Sequence, residues 1–208
     1  MARAVDHAER REIFAAAALR VIMREGVAGL TVRAVAAEAG FTTGALTHYF
    51  NSKDQLLIEA SELSARLVRE RMERAERVRP ALEAVRRVVA LALPLTAETR
   101  GYWRIWLAYW ERSSYDDEVA RVMRLRYDEW RGRLERVLRR AQSEAAVAPE
   151  VDAREAAEAL IALVDGIGVQ VVLGVSRISA ARQRAMFDAW LDKVRSGRAP
   201  THGLRRSA

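Results

Sequence analysis

Residues 31–53 constrain the fold more than any other segment of the chain. Thr31 is a favourable N-cap and Gly40 a favourable C-terminal cap, so the sequence predicts a short helix between them. The threonine pair at 42–43 predicts the start of a second short helix that ends near Phe50. Two short helices joined by a tight turn are typical of a helix-turn-helix motif, whose second helix enters the major groove of DNA.

The second of these helices has the composition of a helix that contacts DNA. Threonine, glycine and histidine occur together within residues 42–48, and these residue types favour caps and turns over the interior of a helix. A plain helical hairpin inside a bundle is the alternative, but such a hairpin would be expected to carry leucine at these positions.

The rest of the sequence has the periodicity of helices and lacks an alternating pattern long enough for a strand. The predicted fold is all-α, with an N-terminal three-helix domain containing the helix-turn-helix and a larger helical domain that binds an effector and forms a dimer. The predicted helices cover about residues 6–25, 31–39, 42–50, 53–78, 80–94, 97–112, 116–144, 152–174 and 179–196. The predicted domains are residues 1–53 and 54–197, and residues 198–208 are predicted to form a flexible tail.

The residue content excludes several kinds of site. The chain has no cysteine, which excludes disulfides, cysteine-ligated metals and cysteine nucleophiles. Its histidines, His7, His48 and His202, are far apart in the sequence, so neither a metal site nor a cofactor is predicted. The N-terminus lacks the basic-then-apolar order of a signal peptide, and the most apolar runs are too short to cross a bilayer. We therefore expect a cytoplasmic protein without a membrane partner.

The formal net charge is +7, but its distribution gives only mild support for a polyanionic partner. Residues 1–50 contain six arginines and five acidic residues, whereas residues 177–208 contain eight basic and two acidic residues. Most of the excess charge therefore lies outside the predicted helix-turn-helix. For this reason the prediction of DNA binding depends on the motif more than on charge.

The motif carries groups suited to phosphates and base edges. Arg33 could make a bidentate contact with guanine, worth roughly 1–3 kcal/mol of discrimination. Gly44 and Ala45 allow the backbone to approach DNA closely, and Lys53 stands where a phosphate could meet the positive end of the next helix. The candidate DNA-binding residues from this reasoning are Arg33, Thr42, Thr43, Gly44, Ala45, Thr47, Tyr49 and Lys53. A solvated surface position is the alternative for the arginine, and packing against the first helix is the alternative for the tyrosine.

The spacing of particular residues within this region is specific. The residues that form the pattern are Gly26, Thr31, Val32, Arg33, Ala36, Ala39, Gly40, Phe41, Gly44, Leu46, Tyr49, Phe50 and Lys53. This pattern resembles the DNA-binding signature of the TetR (tetracycline-repressor) family, and the resemblance covers about residues 8–57. It implies a homodimer of all-helical subunits, and it adds Thr31 to the residues that face the operator DNA. Many members have tyrosine at the position of Thr47, so in this chain His48 or Tyr49 could make that phosphate contact.

Aromatic residues cluster in the sixth predicted helix. Trp103, Trp106 and Trp110 share one face because of their i, i+3, i+7 spacing. Together with the sequence around Asp165, they are similar to the BetI branch of the family, which contains a choline-responsive repressor. The aromatic residues either fill the core between neighbouring helices or wall a pocket in which a cation lies over a ring. The candidate pocket residues are Trp103, Trp106, Tyr109, Trp110 and Tyr127.

Asp165 lies within an apolar helix, so it is expected to be exposed, paired or hydrogen-bonded. We expect it near a dimer interface more than at a ligand. The apolar faces of the last two helices predict that both helices pair with their copies in a dimer as a four-helix bundle. The candidate interface residues are Leu160, Val164, Ile167, Val171, Phe187 and Trp190.

The predicted function is that of a ligand-responsive transcriptional regulator without enzymatic activity. Such a protein would act as a repressor, bind a near-palindromic operator on double-stranded DNA as a homodimer, and be released by a small molecule of unknown identity. Two alternatives remain open. The first is an effector-independent DNA-binding protein, and the second is an enzyme with an incidental helix-turn-helix.

Overall fold

Nine α-helices make up most of what the computed structural model describes, which is the backbone of residues 2–198 and the side chains of residues 7–198. The helices are α1 (Ala2–Glu25), α2 (Val32–Ala39), α3 (Thr43–Thr47), α4 (Lys53–Glu76), α5 (Ala81–Ala92), α6 (Ala97–Ser113), α7 (Asp117–Ser143), α8 (Ala153–Val172) and α9 (Ala180–Arg195). One turn of 3₁₀-helix follows α1, and the described residues include no strand. The all-α prediction is confirmed. None of these helices, within residues 2–198, is both long enough and apolar enough to cross a membrane.

Seven of the nine helices have both ends within two residues of the predicted bounds, and α1 and α3 differ. α1 begins at Ala2 instead of Asp6, because the residues before the aspartate include alanine and arginine, which favour helices. α3 ends at Thr47 instead of near Phe50, because the chain leaves the helix where the phenylalanine ring turns into the core beside Phe14. The predicted flexible tail lies outside the described residues, apart from its first residue.

Side-chain caps begin the helices around the helix-turn-helix. The Thr31 hydroxyl accepts a hydrogen bond from the N–H of Ala34 (3.0 Å), and the Thr42 hydroxyl accepts one from the N–H of Ala45 (3.2 Å). Ser52 caps α4 in the same way. These bonds satisfy N–H groups that have no partner within the helix, so the three helix starts are determined locally by the sequence.

Two hydrophobic clusters hold the chain together, and α4 contributes to both. In the N-terminal cluster, α1 packs on α2, α3 and the first half of α4, and Phe14, Ile22, Leu46 and Phe50 are fully buried. The second cluster joins α5, α7, α8 and α9. Full burial of one such side chain stabilises the fold by roughly 1.5–3 kcal/mol. The predicted domain division after residue 53 stays a prediction, because α4 begins there and packs in both clusters.

Two glycines allow α6 to approach its neighbours closely. A Cβ atom at Gly168 of α8 would lie 2.2 Å from the Trp103 ring, so this ring lies directly against the α8 backbone. A Cβ atom at Gly101 of α6 would lie 2.6 Å from the Cγ atom of Met23, near the end of α1. α6 is therefore packed tightly against α1 on one side and α8 on the other.

We expect Gly168→Ala to lower the free energy of unfolding by about 1–3 kcal/mol, because the added methyl group displaces the Trp103 ring. Urea denaturation at a fixed protein concentration measures the change. Gly132→Ala in α7 is the matched control, since its Cβ atom would meet only the flexible end of Arg136 at 3.5 Å. The control should raise stability by roughly 0.5–1 kcal/mol. The same sign of change for both variants would contradict the close packing of the tryptophan on α8.

Candidate nucleic-acid interface and ligand cavity

The candidate DNA-binding residues belong to α2, α3, the residues that flank these helices, and the start of α4. Eight of the ten are exposed, namely Thr31, Arg33, Thr42, Thr43, Gly44, Thr47, His48 and Lys53. Ala45 and Tyr49 are half-buried. The Tyr49 ring packs on α1, with its centroid 5.4 Å from that of Phe14 and 4.6 Å from that of His7. Contact of these residues with DNA stays a prediction.

The tight turn of the motif depends on Gly40. Its φ of 74° lies in the left-handed region that favours glycine. In this conformation the N–H groups of Gly40 and Phe41 donate to the carbonyls of Ala37 (3.2 Å) and Ala36 (2.9 Å), which closes α2. The turn therefore sets the angle at which α3 leaves α2.

Polar contacts from α1 orient the motif. The Glu38 carboxylate of α2 accepts hydrogen bonds from Arg20 (2.7 Å) and Arg24 (2.9 Å), and these bonds lower the pKa of Glu38. Arg11 lies over the Phe50 ring, 4.7 Å from its centroid, and donates to the carbonyl of the preceding residue. The sequence prediction missed these positioning residues. The i, i+4 spacing of Arg20 and Arg24 on α1 is the one signal that could have indicated a shared partner.

The hydroxyl groups of the motif differ in what they can offer to DNA. Thr31 and Thr42 accept backbone hydrogen bonds and keep their own protons, so each can still donate to a phosphate oxygen. Thr47 donates its proton to the Gly44 carbonyl at 2.9 Å, so it must rotate before it can donate to a phosphate. The Thr43 hydroxyl has no hydrogen bond within the described part of the chain and is exposed.

A cavity of about 190 Å³ lies between α4, α6, α7 and α8, with the end of α5 at one side. α4 lines it with one helix face, which follows the pattern i, i+3, i+4, i+7, i+8, i+11 and consists of Ser61, Ser64, Ala65, Val68, Arg69 and Met72. Three of them, Ser61, Ser64 and Ala65, are small residues at positions where a core helix would carry large apolar ones, and they leave the space open. The sequence prediction did not include this face. Two serines on an inward face were the signal that could have indicated it.

Three of the five candidate pocket residues, Trp103, Trp106 and Tyr127, line the cavity. Tyr109 and Trp110 do not. Tyr109 is buried in the N-terminal cluster, and Trp110 lines a separate depression between α6 and α7. Both lie further along α6, beyond the part of the helix that faces the cavity. Tyr109 therefore fills the core, which was one of the two alternatives, whereas Trp103 and Trp106 form part of the wall of a cavity, which was the other.

Asp165 and Tyr127 form a polar wall on the α8 side of the cavity. The Tyr127 hydroxyl donates to the Oδ2 atom of Asp165 at 2.8 Å. Burial raises the pKa of Asp165 to about 6, and the hydrogen bond from the tyrosine opposes this shift. The Trp106 ring stands close by, with its centroid 5.6 Å from that of Tyr127. Asp165 is thus hydrogen-bonded, which is one of the three environments expected from the sequence, and it lies at the cavity, whereas we expected it near a dimer interface more than at a ligand.

Arg126 forms a second polar wall, on the α4 side. Its guanidinium donates to the Ser61 hydroxyl at 3.3 Å and lies 5.3 Å from the centre of the Tyr109 ring. No carboxylate within the described residues forms an ion pair with it. Burial lowers the pKa of Arg126. The sequence analysis did not identify Arg126, because nothing in the sequence marks which arginine of α7 turns inwards.

The candidate dimer-interface residues require correction. They are Leu160, Val164, Ile167, Val171, Phe187 and Trp190, and all except the half-buried Val171 are at most 7% exposed. Five of these side chains fill the core of the subunit, so they do not present a face to a partner, and the half-buried Val171 packs against that core. Small residues occupy the exposed faces of these helices instead, including Ala162 and Gly166 on α8 and Ala185 and Ala189 on α9. Periodicity predicts an apolar face on each helix, but it does not show whether that face packs within the subunit or against a partner.

The architecture is that of a helix-turn-helix DNA-binding regulator, in which a small N-terminal module is joined through α4 to a larger helical body. Residues 14–60 match the family model described as "Bacterial regulatory proteins, tetR family". Residues 81–196 match the model described as "BetI-type transcriptional repressor, C-terminal". The chain therefore belongs to the TetR family of bacterial regulatory proteins, with a C-terminal part of the BetI type.

The similarity to other proteins extends over nearly the whole chain. It is 29% identical over 196 residues to the transcriptional regulator PksA of Bacillus subtilis, covering 93% of this chain and 94% of PksA. It is 30% identical over 197 residues to the transcriptional regulator BetI of Burkholderia thailandensis, covering 91% and 95% of the two chains. A putative regulator from Saccharomonospora viridis, solved in complex with choline, superimposes with a TM-score of 0.79 at 27% identity, covering 89% and 96%. The matched families and relatives are transcriptional regulators.

We expect Asp165→Asn to raise the Tm of the ligand-free protein at pH 7.5. The corresponding gain in the free energy of unfolding, discounted for solvent screening, is on the order of 1–2 kcal/mol. A carboxyl group with a raised pKa binds its proton more tightly in the folded state. It therefore costs stability above its folded pKa of about 6, and the cost is lost as the pH falls towards 3.8. The advantage of the variant should shrink when Tm is measured at pH 5.

Asp192→Asn, on the exposed face of α9, is the control for this measurement. Surface substitutions of this kind usually change stability by within about 0.5 kcal/mol, so its Tm should follow the wild type at both pH values. A pH-independent gain in Asp165→Asn, or an equal gain in the control, would contradict the burial of an ionised carboxylate at the cavity.

Proposed function

We propose that the protein is a ligand-responsive repressor that acts on cytoplasmic DNA, binds a near-palindromic operator as a homodimer, and is released when a small molecule occupies the cavity. One observation carries the proposal: α4 and α6, which line the cavity, also pack against the helices of the DNA-binding module. The Saccharomonospora viridis relative was solved with choline, which supports a small-molecule effector for this chain as well.

The two helices provide a physical link between cavity and DNA. Lys53 begins α4 on the DNA-binding surface, and Ser61 and Ser64 of the same helix line the cavity two to three turns later. On α6, the Arg104 guanidinium donates to the Met23 carbonyl near the end of α1 at 2.9 Å. A ligand that shifts either helix therefore moves the module. To weaken operator binding tenfold, it must favour the DNA-incompetent form by about 1.4 kcal/mol.

The proposed operator follows from the size of the motif. One α3 helix spans five residues and can reach only a few base pairs, so useful specificity requires two half-sites. A two-fold dimer that holds its α3 helices about 34–36 Å apart places them in successive major grooves on one face of DNA. The half-sites are then related by the same two-fold axis, which makes the operator a near-palindrome.

We propose that the dimer forms through the small exposed residues of α8 and α9. Ala162 and Gly166 lie one turn apart on α8, and Ala185 and Ala189 lie one turn apart on α9. A Cβ atom at Gly166 would meet nothing within 4 Å in the subunit. Small side chains let helices from two subunits approach closely, and the contact would also remove water from Leu173, which is 61% exposed.

Selection of duplexes from a random pool tests the DNA-binding proposal and should yield an inverted repeat. On that operator, Arg33→Ala should lose roughly 1–3 kcal/mol and relax the preference at one base position in each half-site. Lys53→Ala should weaken binding to all sequences and lower the salt dependence by about one counterion per half-site. Fluorescence anisotropy measures both variants.

Arg87→Ala on the exposed face of α5 is the matched control and should bind like the wild type. Wild-type affinity and salt dependence in both Arg33→Ala and Lys53→Ala would contradict the proposed interface. A selection that enriches no duplex would contradict the proposed function as a whole.

We expect Ala185→Glu to convert the dimer to a monomer, because two buried carboxylates would meet near the two-fold axis. Operator affinity should then fall by on the order of tenfold or more, since the two half-sites are no longer bound together. Sedimentation velocity measures the oligomeric state. Ala97→Glu, in the exposed first turn of α6, is the control and should remain dimeric. A monomeric wild type, or a dimer that survives Ala185→Glu, would show that α8 and α9 do not form the interface.

A further inference from the structure

We infer that the ligand of the cavity is a small zwitterion, whose cationic group lies beside Asp165 and whose anionic group lies beside Arg126. The inference rests on the proposed function and names the chemical class of the effector. Asp165 stands on the α8 side of the cavity, and Arg126 stands on the α4 side, where it contacts Ser61. The cavity thus has opposite charges at its two sides.

These two charges differ from the others in the cavity wall. The other lining arginines, Arg69 and Arg133, each form an ion pair with a glutamate. By contrast, Asp165 accepts one hydrogen bond from a neutral tyrosine hydroxyl, and Arg126 donates one to a neutral serine hydroxyl. Neither forms an ion pair with an oppositely charged group among the described residues, and the carboxylates of Glu62 and Glu129 act on Arg126 only from beyond ion-pair distance. Charges held away from water cost free energy unless they are paired, so a ligand with both charges would compensate both walls.

Aromatic rings complete the cationic side of the cavity. The Tyr127 ring is held beside Asp165 by their hydrogen bond, and the Trp106 ring lies next to it. Trp103 and Trp130 line the same space. Ring faces attract ammonium groups, including methylated ones that have no N–H to donate. A metal cation would instead require several oxygen ligands, whereas this wall supplies one carboxylate.

The anionic side is suited to a carboxylate. The guanidinium of Arg126 presents a planar fork of N–H donors that matches the two oxygens of a carboxylate. One of its donors is used by the Ser61 hydroxyl, so others are available to a ligand. Ser64 lines the same side, one turn away on α4, and adds a hydroxyl that can donate.

The volume and the two contacts limit the size of the ligand. An apolar cavity of about 150 Å³ holds one benzene molecule, so the cavity of about 190 Å³ suits a ligand of on the order of ten non-hydrogen atoms. Arg126 and Tyr127 are consecutive on α7, and they contact α4 and α8 respectively. The ligand's charged groups are therefore separated by a short chain. A betaine, with a trimethylammonium and a carboxylate group, has this form.

Isothermal titration calorimetry with matched probes tests the inference on the full-length protein. The zwitterions are trimethylglycine and its longer homologue 4-(trimethylammonio)butanoate. Choline carries the cation alone, and 3,3-dimethylbutanoate, in which carbon replaces the nitrogen of trimethylglycine, carries the anion alone. We expect at least one zwitterion to bind the wild type about tenfold or more tightly than choline and 3,3-dimethylbutanoate.

Substitution of each charge should separate the two ends of the ligand. Arg126→Gln should weaken zwitterion binding about tenfold or more while choline binding is kept. Asp165→Asn should weaken zwitterion and choline binding while 3,3-dimethylbutanoate binding is kept. Arg124→Gln and Glu155→Gln, both on exposed faces of the same two helices, are the controls and should bind every probe like the wild type.

Two results would overturn the inference. One is that no zwitterion binds the wild type, and the other is that choline or 3,3-dimethylbutanoate binds as tightly as the zwitterions. Operator binding, measured in parallel, separates this failure from that of the proposed function. If a probe with a single charge releases the operator, the proposed function as a ligand-responsive regulator is kept and only the inferred class of ligand is wrong. If the ligand-free protein binds no selected duplex, the proposed function itself fails.

Discussion

The structure depends on one continuous helix that is packed into a hydrophobic cluster near each of its ends. α4 has 24 residues, which makes it about 36 Å long at 1.5 Å per residue. Near its start, Leu56 and Leu57 are buried under α1, and near its end Ala75 packs in the second cluster. Arg133 and Arg136 of α7 hold the Glu76 carboxylate at the last residue. Because neither end is free, a displacement in the middle of α4 must be accommodated by the DNA-binding module, by the helical body, or by both.

The cavity in the middle of α4 is where the chain departs from the ordinary composition of a core. Ser61 and Ser64 stand where a core helix would carry large apolar side chains, and Asp165 and Arg126 bring opposite charges that form no ion pair among the described residues. Empty space and partly buried charge both cost stability. Such departures are expected to concentrate at functional sites, because elsewhere in a protein the residue types agree with both the local secondary structure and the packing of the whole fold. Their concentration in one cavity is the reason to interpret it as a ligand site and not as a packing defect.

Local chemistry made much of the fold predictable from the sequence. Thr31, Gly40 and Thr42 act through bonds to neighbouring residues, so the boundaries of α2 and the start of α3 were predicted correctly. The end of α3 was not, because tertiary packing of Phe50 overrides helical continuation. The same distinction applies to the site. Trp103 and Trp106 were identified by their types and spacing. Arg126, Ser61 and Ser64 were not identified, because α4 and α7 carry polar side chains around much of their surfaces and only the neighbouring helices decide which of these turn inwards.

Opposite charges on the two sides of the cavity would make ligand binding sensitive to the position of α4. Ser61 belongs to α4 and holds Arg126, whereas Asp165 belongs to α8. A shift of α4 relative to α8 therefore changes the separation of the two charges, and a zwitterion of fixed length fits one separation better than another. In the proposed homodimer each subunit carries its own cavity, so two ligands share the coupling free energy that release of DNA requires. A hundredfold release of DNA corresponds to about 2.8 kcal/mol, or about 1.4 kcal/mol for each ligand. One charge-assisted hydrogen bond made in only one of the two conformations supplies that amount.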